Sequence, residues 1–272
     1  MSLTLINYNN FDKIVKILIK GLNLKLLNIL LLSSLVFTGC SQHISNEKAK
    51  SLQKENKVIE CKVLKNEKEK LACYTKKANS GDILSQKELA YDYIEKKDYK
   101  NALPWLEKLS SKNDMVSTRE LAYLYDQGFA VKKDKKKAFE LFRKAGLQGD
   151  MIAQNEVGYY YEKGWAVKQN YKEALQWYIK TAKNENIYGL DKMGYFNAKG
   201  YGVEKNYKES FKWFKKSALK GSKYAMSWLG YQYEMGYGLD KNYAKAKALY
   251  EKSGSDYSKS RLELMRKKRL IK

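Results

Sequence analysis

The stretch "GYYYEKGWAVKQNYKEALQWYIKTA", residues 158–182, decides the fold because the chain repeats it. It returns 36 residues later as "GYFNAKGYGVEKNYKESFKWFKKSA" (194–218), and after 36 more as "GYQYEMGYGLDKNYAKAKALYEKSG" (230–254). A looser copy, "AYLYDQGFAVKKDKKKAFELFRKAG" (122–146), stands one period before it. A period of this length is typical of a solenoid, in which each unit packs against its neighbours.

Each unit predicts two helices, A and B, joined by a loop. Helix A is expected to end at a glycine, which tolerates a left-handed backbone. These glycines are Gly128, Gly164, Gly200 and Gly236. Helix B is expected to begin at an Asp or Asn, whose side chain accepts hydrogen bonds from free backbone N–H groups. These residues are Asp134, Asn170, Asn206 and Asn242.

Three further columns of the repeat predict packing detail. Small residues should let helices A and B approach closely; they are Ala122, Gly158, Gly194 and Gly230. Branched apolar residues should tuck the loop into the core; they are Val131, Val167, Val203 and Leu239. Glutamate three residues after Asn170 and Asn206 resembles a capping box, in which it would bond the backbone N–H of the cap residue.

These motifs resemble the Sel-one-like repeat, a relative of the tetratricopeptide repeat with a longer loop between its helices. The resemblance covers residues 81–254 as five tandem units and implies an all-α fold, a right-handed α-α superhelix (solenoid) of helix-turn-helix repeats. The first unit, "LAYDYIEKKDYKNALPWLEKL" (89–109), lacks four loop residues and is closer to a plain tetratricopeptide repeat.

Flanking segments are predicted to cap the solenoid. Residues 57–80 are expected to form N-terminal capping helices and 255–272 a basic C-terminal capping helix. Counting the period onward places Met265 in the column of Leu229, and Arg266 where the small residue belongs. An arginine there would block a further close helix, as a terminal unit requires.

The N-terminus is predicted to be a lipoprotein signal peptide, residues 1–39. Lysines precede an apolar run over 26–37, which is too short to span a bilayer comfortably. The run ends in "LVFTGC" (35–40), which resembles a bacterial lipobox. The resemblance implies cleavage before Cys40, palmitate-type acyl chains on that residue and a lipidated tether over 40–56. An uncleaved anchor or a buried hairpin is the alternative.

Location follows from the same resemblance. Ser41 after the cysteine implies, under the enterobacterial sorting rule, the outer membrane facing the periplasm. In that oxidising compartment Cys61 and Cys73 are expected to form a disulfide, since they would lie level across a helical hairpin that turns near Asn66. Two unpaired thiols are the alternative.

Composition argues against several kinds of chemistry. The sole histidine is His43, so neither a histidine-based triad nor a zinc site is expected in the folded part, and no catalytic residue, metal or cofactor is predicted. The net charge of +23 comes almost entirely from lysine, with five arginines among 53 basic residues. Because arginine is the better residue for bidentate phosphate recognition, no nucleic-acid partner is predicted.

The chain is also similar to the Helicobacter cysteine-rich proteins of this family, which implies β-lactam binding or weak β-lactamase activity as an alternative function. The β-lactamase motif S-x-x-K begins at Ser45, Ser51 and Ser217, about as often as this composition gives by chance. Its companion elements S-D-N and K-T-G are absent.

The predicted function is a scaffold for protein or peptide interaction, lipid-anchored in the envelope. In related solenoids helix A lines the groove, and the residue after the small column is tyrosine in all five units: Tyr91, Tyr123, Tyr159, Tyr195 and Tyr231. One turn earlier, Arg119, Asn155 and Asp191 complete the predicted groove. The partner would be an unknown envelope protein or peptide, or cell-wall polymer.

Two alternatives stay open beside that prediction. The tyrosines would, in the first, pack adjacent A helices together. In the second, the basic tail 259–272 would dock on anionic lipid.

Overall fold

Side-chain caps begin every helix of the part of the chain that the structure describes. This computed structural model describes residues 61–272, which contain twelve α-helices and no strand. Each helix is preceded by an Asp, Asn or Ser whose side-chain oxygen accepts hydrogen bonds from backbone N–H groups two or three residues later. These cap residues are Asn66, Asp82, Asp98, Asp114, Asp134, Asp150, Asn170, Asn186, Asn206, Ser222, Asn242 and Ser255.

The helices form five hairpins between two single helices. Helix α1 (Glu67–Asn79) precedes the first hairpin, and α12 (Asp256–Lys267) follows the last. The A helices are α2 (Ile83–Glu95), α4 (Met115–Gln127), α6 (Met151–Lys163), α8 (Ile187–Lys199) and α10 (Lys223–Met235). The B helices are α3 (Tyr99–Ser111), α5 (Lys135–Leu147), α7 (Tyr171–Lys183), α9 (Tyr207–Leu219) and α11 (Tyr243–Ser253). Each helix packs against the next, so the predicted all-α solenoid is confirmed.

Within a hairpin, the small column of helix A packs against an aromatic ring of helix B. A Cβ atom at Gly158 would lie 2.6 Å from the ring of Tyr178, and one at Gly194 would lie 2.6 Å from the ring of Phe214. Both rings are fully buried. Glycine is therefore required at these positions by close approach, as the sequence predicts.

The loop between helices A and B is held by the backbone rather than by a full capping box. Asn170 does accept from the N–H of Glu173, but its own N–H donates to the carbonyl oxygen of Tyr161 at 2.9 Å. Asn206 likewise donates to Asn197 at 2.8 Å. The predicted hydrogen bond between the glutamate side chain and the backbone N–H of the cap residue is therefore wrong, since that N–H already donates to a carbonyl oxygen of helix A.

In three of the loops an aromatic residue stacks on a ring of the preceding unit, as Phe129 does on Tyr99 with ring centroids 4.5 Å apart. Tyr201 stacks on Tyr171 with ring centroids 4.2 Å apart, and Tyr237 stacks on Tyr207 at 4.5 Å. Val203, in contrast, is 38% exposed. The prediction that this column tucks the loop into the core is confirmed for Val131 and Val167, which pack against core residues, and is wrong for Val203.

The last helix is out of step with the 36-residue period. In every A helix the core residue of the Leu229 column lies seven positions after the cap residue. Helix α12 is capped by Ser255, which places Leu262 in this column and Glu263 in the small column. The predicted placement of Met265 and Arg266 is wrong by three residues. Helix α11 has 11 residues where the other B helices have 13, and only Gly254 separates it from the next cap where the other units have two residues.

A disulfide joins Cys61 to Cys73 at the start of the described chain, with Cα atoms 5.6 Å apart, consistent with the expected pairing. The predicted signal peptide 1–39, Cys40, the tether 40–56 and residues 57–60 of the N-terminal cap lie outside the described residues. Within residues 61–272 no helix is long and apolar enough to cross a membrane.

Replacing Gly158 with alanine should destabilise the fold by about 1–3 kcal/mol, because the added methyl group would overlap the buried Tyr178 ring. Gly146→Ala is the comparison: its added Cβ would lie 3.3 Å from the Gln154 backbone and the Trp177 ring, a tight contact but not an overlap, so it should cost less. Urea unfolding followed by circular dichroism measures both. Equal stability of the two variants would contradict the close-packing account.

Candidate functional site: the A-helix face

The five predicted groove tyrosines lie at one position of the five A helices, and all are half-buried. Their hydroxyls or rings reach the following A helix. Tyr123 donates a hydrogen bond to Glu156 at 3.0 Å, and the ring of Tyr195 meets Trp228 edge-on at 5.7 Å. The tyrosine column therefore bridges neighbouring helices, as the packing alternative expects, while part of each residue stays accessible to solvent.

The Tyr123–Glu156 pair is electrostatically perturbed. Burial raises the pKa of Tyr123, and the Glu156 carboxylate raises it further. Burial also raises the pKa of Glu156, although the hydrogen bond from Tyr123 opposes this. The phenol thus stays protonated at neutral pH and serves as a hydrogen-bond donor.

The three other predicted groove residues are engaged with the cap of the next A helix. Arg119 donates to the α6 cap Asp150 at 2.8 Å, and Asn155 donates to the α8 cap Asn186 at 3.2 Å. Asp191 accepts from the α10 cap Ser222 at 2.8 Å. We call these contacts, together with the equivalents Lys87–Asp114 and Ser227–Ser255, the cap ladder. The ladder joins every A helix to the next.

The cap ladder places the carboxyl group of Asp191 in a partly buried position. Burial raises the pKa of its carboxyl, while hydrogen bonds from Ser217 and Ser222 lower it without cancelling the effect. Buried polar groups of this kind need their partners, since an unmet hydrogen bond costs about 1–3 kcal/mol. Arg119, Asn155 and Asp191 are therefore occupied by inter-repeat contacts, whereas their predicted role toward a partner stays a prediction.

Buried carboxylates form a second set of inter-helix contacts, which were not predicted from the sequence. Glu162 accepts from Tyr178 at 2.8 Å and from Lys192 at 2.7 Å. Glu234 accepts from Tyr250 at 2.8 Å in the same way. In the sequence, the two units with glutamate in this column have tyrosine at its partner position, whereas Ala198 stands with Phe214. Asp126 stands with Phe142 and accepts a hydrogen bond from Tyr160 instead.

A column of exposed apolar side chains runs beside the tyrosines and was also missed. Its members lie two residues after the cap of each A helix, which is seven residues before the groove tyrosine of the same helix. Helix α12 contributes the equivalent residue, two after its own cap. We call it the exposed column: Leu84, Val116, Ile152, Tyr188, Tyr224 and Tyr257. Five of these residues are 39–49% exposed. The helical spacing of seven from the tyrosines could have identified it.

Two cavities open along this face. One of about 310 Å³ is lined by Ile152, Glu156, Tyr159 and Tyr188. A larger one, of about 610 Å³, lies between α8, α10 and α12 and is lined by Lys199, Tyr224, Trp228, Tyr231, Tyr257 and serines. The face thus combines an apolar strip, aromatic walls and pockets that could take side chains.

Reactive chemistry has little support among residues 61–272. No group of three or more His, Cys, Asp or Glu side chains there is placed to hold a metal ion. Ser217, which begins the S-x-x-K match of this region, is fully buried and hydrogen-bonded to Asp191 at 2.6 Å. Lys220 pairs with Glu185 at 2.6 Å. Ser217 is therefore placed as a structural hydroxyl of the hairpin.

Stacked helical hairpins with a contiguous apolar and aromatic face define a repeat scaffold. The Sel1 repeat family model matches the chain over five segments: 85–114, 117–150, 152–186, 187–222 and 223–256. The chain therefore belongs to the Sel1 repeat family, whose members serve as protein-interaction scaffolds. No curated protein matches it.

Two solved structures share this fold, and a third is similar over a smaller part of the chain. A protective antigen of uropathogenic Escherichia coli, described as displaying an SLR fold, is 26% identical with a TM-score of 0.74, over 83% of this chain and 51% of that one. A Sel1 repeat protein from Oxalobacter formigenes is 31% identical with a TM-score of 0.58, over 62% and 71%. Cysteine rich protein B of Helicobacter pylori is 29% identical with a TM-score of 0.35, over 44% and 91%. The chain spans about half the length of the Escherichia coli antigen.

Replacing Asp150 with alanine should lower stability by about 2–4 kcal/mol, because it removes the α6 cap and leaves Arg119 without one of its carboxylates. Asp134→Ala removes an exposed cap that has no ladder contact and should cost about 1 kcal/mol. Urea unfolding compares the two variants. A loss no larger at Asp150 than at Asp134 would show that the ladder contact contributes nothing.

Proposed function

We propose that the chain is an envelope-anchored scaffold that binds an extended peptide or protein segment along its A-helix face. The observation that supports this most is the exposed column. Six side chains of this column, all apolar or aromatic, follow one another on successive helices beside half-buried tyrosines. Contiguous exposed apolar surface of this kind marks interaction sites in soluble domains.

The spacing of the column suits an extended segment. Successive A helices lie close enough for their side chains to touch, as Tyr195 and Trp228 do, so one extended segment can contact several A helices in turn. Tyrosine supplies rigid contact area with a hydrogen-bonding tip, which favours interfaces. The binding segment would place an apolar side chain on each A helix in turn.

Site-specific photocrosslinking in native cells tests the scaffold proposal. A photoreactive residue at Ile152 or Tyr188 should crosslink to a discrete protein, identified by mass spectrometry, because both side chains lie exposed on the proposed face. The matched control is Leu219, which is 80% exposed at the end of a B helix. Equal crosslinking from Leu219, or none from either column position, would reject the A-helix face as the binding surface.

Anchoring in the envelope rests on the N-terminal sequence. The apolar run followed by "LVFTGC" supports lipid attachment at Cys40, and two or three acyl chains anchor stably. Cys40→Ser should move the protein from the membrane fraction to the soluble periplasmic fraction, with loss of acyl mass. Retention of Cys40→Ser in the membrane fraction would instead favour an uncleaved anchor.

Neither remaining alternative has a specific contact in its favour. Cell-wall polymer as the ligand would appear in the crosslinking experiment as glycan-linked material in place of a protein. β-Lactam binding or hydrolysis, the alternative from the Helicobacter resemblance, gains nothing from Ser217, which is inaccessible to a substrate. Arginine scarcity argues against nucleic acid as before.

A further inference from the structure

The larger cavity of the A-helix face differs from the rest of the face in shape and charge. It has a volume of about 610 Å³, roughly twice that of the cavity beside Ile152. Three of its walls are rings from two elements: Tyr224 and Trp228 of α10 and Tyr257 of α12. Helix α12 is thus more than a cap, because its Tyr257 lines this pocket as Tyr188 of α8 lines the smaller one.

The walls are held rigidly from behind. Trp228 stacks on the buried ring of Phe214 with centroids 5.4 Å apart and meets Tyr231 edge-on at 5.9 Å. Tyr224 lies against Trp228 at 6.3 Å. Tyr224 and Tyr257 are still 46% and 49% exposed, so their rings remain available to a ligand. Such a pocket favours a bulky apolar or aromatic side chain.

A single charge faces this pocket. Lys199, the last residue of α8, lines it, with its ammonium 5.8 Å from the ring centroid of Trp228 and 5.8 Å from that of Tyr195. Among the described residues Lys199 forms no ion pair, and no carboxylate lines the pocket. The other basic groups of the face are engaged, since Lys192 pairs with Glu162 and Arg261 with Glu234.

The floor of the pocket is polar and internally satisfied. The Ser227 hydroxyl lies 2.8 Å from that of Ser253 and 2.9 Å from those of Ser255 and Ser258. These hydroxyls bond one another, so the ammonium of Lys199 is the group left to meet a charged ligand. The smaller cavity offers the opposite charge, because the Glu156 carboxylate lines it.

We propose that this pocket, walled by Tyr224, Trp228 and Tyr257, recognises a bulky apolar residue of the partner segment whose neighbouring carboxylate pairs with Lys199. The inference rests on the proposed scaffold function and names the chemistry that one end of the face selects. The carboxylate can come from two sources, the free C-terminus of the partner or an Asp or Glu beside the apolar residue. Both present the same group to Lys199.

Short peptides of defined chemistry test the pocket directly in the full-length chain. The probes are acetyl-Gly-Gly-Phe with a free carboxylate, the same peptide as its carboxamide, and acetyl-Gly-Gly-Ala with a free carboxylate. The readout is the indole N–H signal of Trp228 in a nitrogen-15 NMR titration, assigned by comparison with Trp228→Phe. We expect the phenylalanine acid to bind at least about threefold more tightly than either other peptide, the order of an exposed ion pair.

Acetyl-Asp-Phe-Gly carboxamide separates the two carboxylate sources. Binding as tight as that of the free acid identifies a side-chain carboxylate as sufficient, and binding no better than the neutral carboxamide identifies the C-terminus as the required source. Either result supports the pocket, provided that the free acid is preferred. A Trp228 signal that responds to none of the peptides would overturn the proposal.

Two variants test which residues cause the two binding preferences, for the carboxylate and for the phenylalanine ring. Lys199→Gln should abolish the preference for acid over carboxamide, whereas Lys183→Gln, at the same position of a B helix, should leave it intact. Tyr257→Ala should abolish the preference for phenylalanine over alanine, with exposed Leu219→Ala as its control. Unchanged preferences in Lys199→Gln would overturn the pairing. Crosslinking at Ile152 and Tyr188 would still report on the scaffold, so the two proposals can fail separately.

Discussion

The contact between one A helix and the side chain that caps the next is the interaction on which the stack depends. In each unit, the residue five positions after the cap of helix A contacts the cap residue of the next A helix, as Arg119 does with Asp150. In the three middle units the two contacting residues are 31 positions apart. A cap residue has two tasks here, because it satisfies its own helix and receives a side chain from the previous one. In the last three hairpins, glycine–aromatic contacts hold helices A and B together, whereas the ladder and the stacked loop rings join one hairpin to the next.

Because the ladder residues are used for contacts between units, the rest of the A-helix face is left for binding. The ladder side chains are occupied, and the tyrosines divide their surface between the neighbouring helix and solvent. The tyrosines of the exposed column contact neighbouring rings, as Tyr224 does with Trp228, yet they stay 40–49% exposed. The column ends at Tyr257 beside the cavity of about 610 Å³. A scaffold of this design can change its specificity through the column without disturbing the ladder, since the two sets of residues lie on different positions of the same helices.

Much of this fold follows from the sequence because period, caps and close-packing glycines are local or strictly periodic. The register of α12 could not be predicted, since α11 is shorter than the other B helices and the 36-residue period therefore misplaces Met265 and Arg266. The role of Asp191 is also hidden, because its partner Ser222 belongs to another unit and no local pattern links them. The tyrosine column could be predicted as a surface, but its contact with the next helix depends on how closely two units approach. The cavity at Lys199 arises from three helices and has no signature in any one of them.

The A-helix face contains a structural ladder and, beside it, exposed side chains that the fold does not need. The free energy of urea unfolding of the full chain separates these two sets when Arg119→Met is compared with Ile152→Ser. We expect a loss of about 2–4 kcal/mol for Arg119→Met, which leaves the Asp150 carboxylate buried without its cation, and a change within about 0.5 kcal/mol for Ile152→Ser. A loss at Ile152 as large as that at Arg119 would rule out this separation, because the exposed column would then be part of the structural core.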